Sequence, residues 1–429
     1  MSTRAVSGPP QPIQTSQNVT SKLRIKHIDV VKGISIVLVV FGHNWLVLHD
    51  SGELYHIGLS FRMPLFFFVS GIFFRPNVPF GQLVKTKADA LLKPYAVTLG
   101  ILSVYQILLL QEPAFRIYAG ILYAGGETIF WLPMWFLTHL FAVFLLSWAV
   151  IRYTQLDARN LGFKLVFMSA LITTGYLFTA HLWPQFVNHY STHFMWHDRP
   201  LLRTGLPFST DILLISSFFF LSGFLLRTNV KQFQVHWGYV LLASVVFIGL
   251  HARFDYALDL FKRRYDHLLI TTVLAFAGIY LTLSVAWLVS KVRLLERLLS
   301  YTGQQSLFVL IFHWYLQKKV FDVLINSIGL ESQLSAVLSL VGAVLGSLII
   351  AEIINSSPYL AMWWRPWKLV KGKLVKGRFA TSASSAPSTR PRTSARARAT
   401  HVNVRASQVM TELTFAQQNM QALKRTYTG

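Results

Sequence analysis

Ten apolar runs constrain this chain more than any other feature. Each is long enough, or nearly so, to cross about 30 Å of hydrocarbon at about 1.5 Å per helical residue. They lie near 28–48, 57–74, 94–112, 128–151, 163–183, 208–226, 235–252, 268–290, 304–325 and 333–355. Inside hydrocarbon every backbone N–H and C=O must find a partner within the protein, so such runs fold as helices. The expected fold is an all-α polytopic membrane protein with about ten transmembrane helices. Several runs contain Pro or Gly, which membrane helices tolerate, and Lys318 and Lys319 interrupt the ninth.

Composition narrows the function classes. Hydrophobic residues make up 53% of the chain and charged residues only 13%, against about 25% charged in an ordinary soluble domain. That excludes a soluble enzyme and a disordered protein. The absence of cysteine excludes disulfides, thiolate metal sites and thiol nucleophiles. A formal charge of +23 suggests a nucleic-acid binder until the charges are located.

Residues 1–27 are a polar, basic tail that lacks the short apolar core and small-residue cleavage site of a signal peptide. Residues 28–356 form the membrane domain. Residues 357–429 open with Trp363, Trp364, Arg365, Pro366 and Trp367, which suit a membrane–water interface. The rest of this segment is basic, expected to be disordered, and holds Glu412 as its one acid. Attraction to anionic lipid explains such a tail, and no RNA- or DNA-binding motif accompanies it, so no nucleic-acid partner is expected.

Loop charges set the orientation. With the N-terminus in the cytosol, the inside connections hold Arg75, Lys85, Lys87 and Lys93, then Arg152, Arg159 and Lys164, then Arg227 and Lys231, then Lys291, Arg293 and Arg297. The outside connections hold few cations, except Arg253, Lys262, Arg263 and Arg264 in the fourth, which Asp255, Asp259 and Asp266 partly balance. Both termini are then expected in the cytosol.

Ionisable residues within a membrane helix are costly and therefore functional candidates. The first run carries Asp29, Lys32 and His43. On a continuous helix the eleven residues from Lys32 to His43 are three turns plus about 20°, so the two share a face about 16 Å apart along the axis. Asp29 can pair with Lys32 one turn away. The bland reading is a lysine reaching back to the interface and a histidine bonded to a neighbouring helix. The cofacial cation, with Arg62 in the second run, favours function.

The stretch Asp29…Lys32-Gly33…Gly42-His43 resembles the opening helix of the membrane acyltransferase 3 family, which includes fucose 4-O-acetylase-like proteins and other acetylases of surface sugars. Lys32 stands where that family usually has Arg. Further similar stretches follow in the family's order: Phe61-Arg-Met-Pro-Leu-Phe-Phe-Phe-Val-Ser-Gly71, Leu91-Leu-Lys-Pro94-Tyr, Leu132-Pro-Met-Trp135-Phe-Leu137, Phe219-Phe-Leu-Ser-Gly223 and Tyr301-Thr-Gly303-Gln-Gln-Ser306-Leu…His313. Each is short and apolar; their order makes the signal. The segment after the second helix departs from the family's paired arginines, having Arg75 followed by Lys85, Lys87 and Lys93.

The resemblance implies an acyl-CoA donor, expected to be acetyl-CoA, used as a co-substrate with no permanently bound cofactor and no metal. It implies a hydroxyl of a cell-envelope or exported carbohydrate as acceptor, and a multi-pass location in a bacterial inner membrane. His43 is the expected general base, since a neutral imidazole can take a hydroxyl proton. Lys32, Asp29, Arg75, Lys85 and Lys93 are the expected donor-binding residues, their cations facing the donor phosphates. Asn44, Arg62, Trp135, Ser306 and His313 are acceptor or auxiliary candidates; by location Asn44 and Arg62 are also candidate oxyanion donors, and Arg62 reads equally well as an interfacial anchor.

Other patterns carry less. His189, His193 and His197 recur at helical spacing, but Pro184 and Pro200 bracket them, and a wet outer loop explains them better than zinc. His139, one turn after Trp135, reads as a core hydrogen-bonding residue. A secondary transporter or glycan-related exporter is the alternative function. It is expected to show inverted repeats and paired broken helices, and neither is visible. A non-catalytic scaffold working through its basic tail would leave the polar stripe of the first helix without a purpose.

Overall fold

The computed structural model describes residues 25–50, 52–190, 195, 196, 199–367 and 370. In chain order the helices are α1 (Lys26–Phe41), α2 (Gly52–Ile72), α3 (Phe80–Lys87), α4 (Lys93–Leu109), α5 (Ala114–Tyr123) and α6 (Trp135–Thr154). Then come α7 (Leu161–Leu177), α8 (Trp183–Tyr190), α9 (Leu213–Leu225), α10 (Arg227–Lys231) and α11 (Trp237–Arg253). The last are α12 (Leu268–Val289), α13 (Arg293–Gln304), α14 (Ser306–Asn326), α15 (Ser332–Ser356) and α16 (Pro358–Trp364). Two short antiparallel ladders, Met195–Trp196 with Arg199–Pro200 and Leu258–Asp259 with Arg264–Tyr265, sit in loops.

Local chemistry sets the helix ends. Pro133, Pro207 and Pro358 stand in first turns, where a missing N–H has no helical partner to lose. Asn160 caps α7 by accepting from the Phe163 N–H at 2.8 Å. Wider π-helical turns at Ala88–Leu92 and Phe178–Leu182 join α3 to α4 and α7 to α8 into the rods Phe80–Leu109 and Leu161–Tyr190.

Among the described residues, six helices are long and apolar enough to cross a membrane: these two rods, Leu132–Thr154, Pro207–Leu225, Leu268–Val289 and Ser332–Ser356. Four of the ten expected spans differ for nameable reasons. α1 is 16 residues and α11 is 17. The apolar stretch of α2 is the shorter His56–Ile72. α14 has 21 residues but carries His313, Gln317, Lys318, Lys319 and Asp322.

The expected first span, 28–48, is the clearest departure. α1 stops at Phe41, and the chain tightens so that the His43 and Asn44 N–H groups reach back only three residues, to Val40 and Phe41. Asn44 causes the break: its Oδ1 accepts from the Leu46 N–H at 3.1 Å, and its amide donates to the Ala336 carbonyl on α15 at 2.8 Å. His43 thus sits on a tight turn, and the shared-face arithmetic for Lys32 and His43 does not carry through it.

Close helix crossings are made by glycine. A Cβ at Gly71 would overlap the Phe220 carbonyl, and one at Gly223 the Phe68 carbonyl, so α2 and α9 touch backbone to backbone. Gly33 and Gly303 do the same for α1 and α13. Apolar burial drives little association between helices already in lipid, so such close packing is what holds them. Around the α2–α9 crossing, Phe67, Phe68, Phe219, Phe220 and Phe224 are fully buried. α15 lays a stripe of small buried residues (Ser335, Ser339, Ala343, Ser347, Ala351) on one face.

The loops after α2, α6 and α9 share one face of the bundle, because Arg75, Asp157 and Arg227 line one cleft. The start of α1 lies there too, with His27 Nε2 bonded to the Val230 carbonyl at 2.9 Å. At the other face, two of the four cations that break the loop-charge rule are paired with acids. Arg263 forms a buried pair with Asp211 at 2.8 Å, and Arg264 pairs with Asp266 at 2.7 Å. The positive φ of Phe208, Ser209 and Arg263 shows that this loop is held against its backbone preference.

Candidate active site

At the face shared by those loops, an open cleft of about 390 Å³ is lined by Arg75, Arg227 and Lys231, with Asp157 as the acid among them. Two separate connections supply the cations, Arg75 after α2 and Arg227 with Lys231 after α9, so a polyanion seated there would bridge the two. Arg227 is partly fixed, its Nη1 donating to the Phe224 carbonyl at 2.7 Å while the guanidinium lies 4.0 Å from the Phe224 ring centroid. Phe73 and Phe74 form an aromatic wall. Lys32 joins the cleft through that wall: its Nζ lies 3.8 Å over the Phe73 ring and 3.6 Å from Asp29 Oδ1.

Deeper in the bundle lie two imidazoles. The rings of His43 and His313 are 5.4 Å apart, centroid to centroid, tilted by 44°. His313 Nδ1 lies 2.7 Å from the Val309 carbonyl and 3.0 Å from the Leu310 carbonyl. Carbonyls only accept, so Nδ1 carries the proton and Nε2 presents a bare lone pair. That Nε2 is buried without a hydrogen-bond partner among the described residues. Arg62, on α2, is close enough to act electrostatically on both imidazoles.

Two helices connect cleft and imidazoles. Eleven residues separate Lys32 from His43 on α1 and its turn, and eleven separate Arg62 from Phe73 on and just beyond α2. The α2 path corresponds to about 16 Å of helix, and the α1 path to about 14 Å of helix as far as Phe41 with the tight turn beyond it. The arrangement offers anion binding at one end and proton transfer beside a cation at the other.

The remaining expected residues are placed as follows. Lys85 is exposed on α3, outside the cleft lining. Lys93 belongs to a clasp, donating to Asp89 Oδ1 at 2.6 Å and to the Arg365 carbonyl at 2.6 Å. Arg365 is itself bonded to Asn355 and Gln305, and Asp89 also accepts from the Trp367 N–H at 2.7 Å. Ser306 begins α14, seven residues and roughly 10 Å of helix before His313. Asn44 serves the helix break. The Trp135 ring packs on His139 and Phe261. His139 is satisfied at both nitrogens, by the Phe208 carbonyl at 3.1 Å and Ser216 Oγ at 2.8 Å. His189, next to last in α8, packs against Tyr190, while His193 and His197 lie outside the described residues. No group of three His, Asp or Glu among the described residues is placed to hold a metal ion.

Arg227 and Lys231 were legible only as loop cations, because the pattern that joins them to Arg75 is spatial. Gln317 gave no signal at all. It lies one turn beyond His313, buried, with neither amide atom bonded among the described residues.

Fold and site together define a polytopic helical membrane protein with a cationic cleft on one face and an imidazole pair within, His313 fully and His43 partly buried. The chain belongs to the membrane acyltransferase 3 family, whose acyltransferase domain matches residues 25–352. Neither a curated protein nor a solved structure matches the chain. Family and fold make it a membrane acyltransferase.

Proposed function

We propose that this acyltransferase takes an acyl group, acetyl by default, from cytosolic acyl-CoA and passes it to a carbohydrate hydroxyl at the opposite face of the membrane. The observation that carries this reading is the alignment of cationic cleft and imidazole pair along α1 and α2. The donor's phosphates are held by Arg75, Arg227 and Lys231, with Lys32 set by Asp29 at the inner end of the cleft. Lys85 adds only diffuse charge, and Lys93 acts through the clasp. The pantetheine arm, comparable in length to the cleft-to-imidazole distance, lies along α1 and brings the thioester to His43. His43 takes the acceptor hydroxyl proton as the oxygen attacks the thioester carbon. The carbon–sulfur bond then breaks, and the proton passes to the departing thiolate. His313, with its fixed tautomer, borders the same space. Ser306, Trp135 and Asn44 support helix packing.

On this reading both termini face the cytosol and a bacterial inner membrane is the location; the basic tail expected to meet anionic lipid, beyond α16 and the Arg365 clasp, lies outside the described residues. The test is transfer from radiolabelled acetyl-CoA to the glycan fraction of membranes containing the full chain. Label should enter base-labile esters with wild type and fall to background with His43→Ala at equal abundance. Undiminished transfer by His43→Ala would overturn the role of His43.

A further inference from the structure

Arg62 stands ten residues from each end of α2, about 15 Å of helix in either direction. An anchoring arginine would extend its charge toward an interface. Its guanidinium rests instead against the tight turn that follows α1. A Cβ built on Gly42 would fall on that guanidinium, against Nη1, Cζ and Nη2. The backbone at Gly42 has φ −66 and ψ −12, which any L-residue adopts. Glycine is therefore not required there by conformation. The space belongs to Arg62.

We propose that Arg62 is the electrophilic group of the site, and that Gly42 is the notch that aims it. The inference rests on the acyl-transfer reading above and assigns one further part of it. As the acceptor oxygen bonds to the thioester carbon, the carbonyl electron pair moves onto oxygen. Arg62, beside His43, holds that negative charge until the pair returns and the carbon–sulfur bond breaks, the hydroxyl proton passing through His43 to the thiolate. A cation already fixed beside the reacting carbon needs little reorganisation, and losing one such donor costs roughly 10²- to 10³-fold in turnover.

The notch makes the assignment testable without deleting any polar group. In Gly42→Ala the three atoms nearest the new methyl all belong to the far end of a flexible side chain, so the chain folds while the guanidinium is displaced. Thermal denaturation of the purified full chain should match wild type within a few degrees. Initial rates with radiolabelled acetyl-CoA should show kcat falling roughly 100-fold with donor KM unchanged within about twofold. Arg62→Lys keeps a charge but loses the planar fork and should also be slow. The double variant Gly42→Ala/Arg62→Lys should then be no slower than Arg62→Lys alone, because the methyl has nothing left to displace. Wild-type turnover by Gly42→Ala overturns the assignment, as does a double variant whose losses multiply. Wild type that transfers no acetyl overturns the donor reading and the assignment with it. Active wild type, inactive His43→Ala and unaffected Gly42→Ala removes Arg62 alone.

Discussion

The cationic cleft and the imidazole chamber are built on opposite physical terms. The cleft is open, and its charges come from three loops, with Arg75 and Lys231 exposed to solvent. Each cation there is screened by water and salt, so each contributes little and the contributions add. The chamber holds two imidazoles and one guanidinium inside the bundle, fixed by a helix break and by carbonyls of α14. Few groups stand there, and with His313 fully buried water screens them less. A donor that must be captured, released and recaptured suits the first arrangement; a transition state suits the second.

The largest effect should separate the two regions. His43→Ala is expected to lower kcat by roughly 10²- to 10⁴-fold while the protein reaches the membrane in normal amounts, read from initial rates and quantitative immunoblotting. A loss expressed in donor KM instead would place His43 in binding and erase the contrast. Next, the triple variant Arg75→Ala/Arg227→Ala/Lys231→Ala should raise donor KM by roughly 10- to 100-fold with kcat within a few-fold of wild type. Wild-type KM should climb with ionic strength, and the triple variant's should respond much less. Lys231→Ala alone should show only a few-fold change. Equal sensitivity to single and triple replacement would show that the cleft does not work by summation.

Lys93→Ala should leave donor KM within about twofold and lower stability by about 1–2 kcal/mol, since it breaks the clasp to Asp89 and the Arg365 carbonyl. Detergent-solubilised melting curves test this, and Lys85→Ala serves as the unaffected control. The smallest effect lies in the loop beyond the chamber. Tyr123 donates to the Gly205 carbonyl at 2.5 Å. Burial first, and the Asp211 carboxylate second, push its phenol up to about 12. The folded chain therefore keeps this proton where the unfolded phenol, near 10, has lost it. Its contribution is complete below pH ~10 and is lost as pH rises through ~12. Melts from pH 9 to 11 should show this extra loss in wild type and not in Tyr123→Phe.

The helical membrane architecture was legible because apolar runs of this length permit little else. The family-like stretches read as weak apolar strings, yet Gly71, Gly223, Gly33 and Gly303 turn out to be the points where helices touch. Spacing marked those residues but not their contact partners. The break after Phe41 was hidden because hydrophobic periodicity is blind to a side chain such as Asn44 that bonds its own backbone. Charge counting could not distinguish Lys93, consumed by Asp89 and Arg365, from Lys231, which lines the cleft. Trp135 and Ser306 share motifs with site residues, but α6 and the start of α14 carry them elsewhere. His43 and His313, 270 residues apart in the sequence, meet only through the fold.

The central claim is that cleft and chamber are two ends of one donor site. An acyl-CoA carrying a diazirine on its acyl group, irradiated with the full chain in lipid nanodiscs and mapped by mass spectrometry, tests it directly. The expected label falls on the turn at 42–45 or on α14 between 309 and 317, and is competed away by acetyl-CoA. Label confined to 73–78 and 227–231 would contradict the claim, for the acyl end would then never reach the imidazoles.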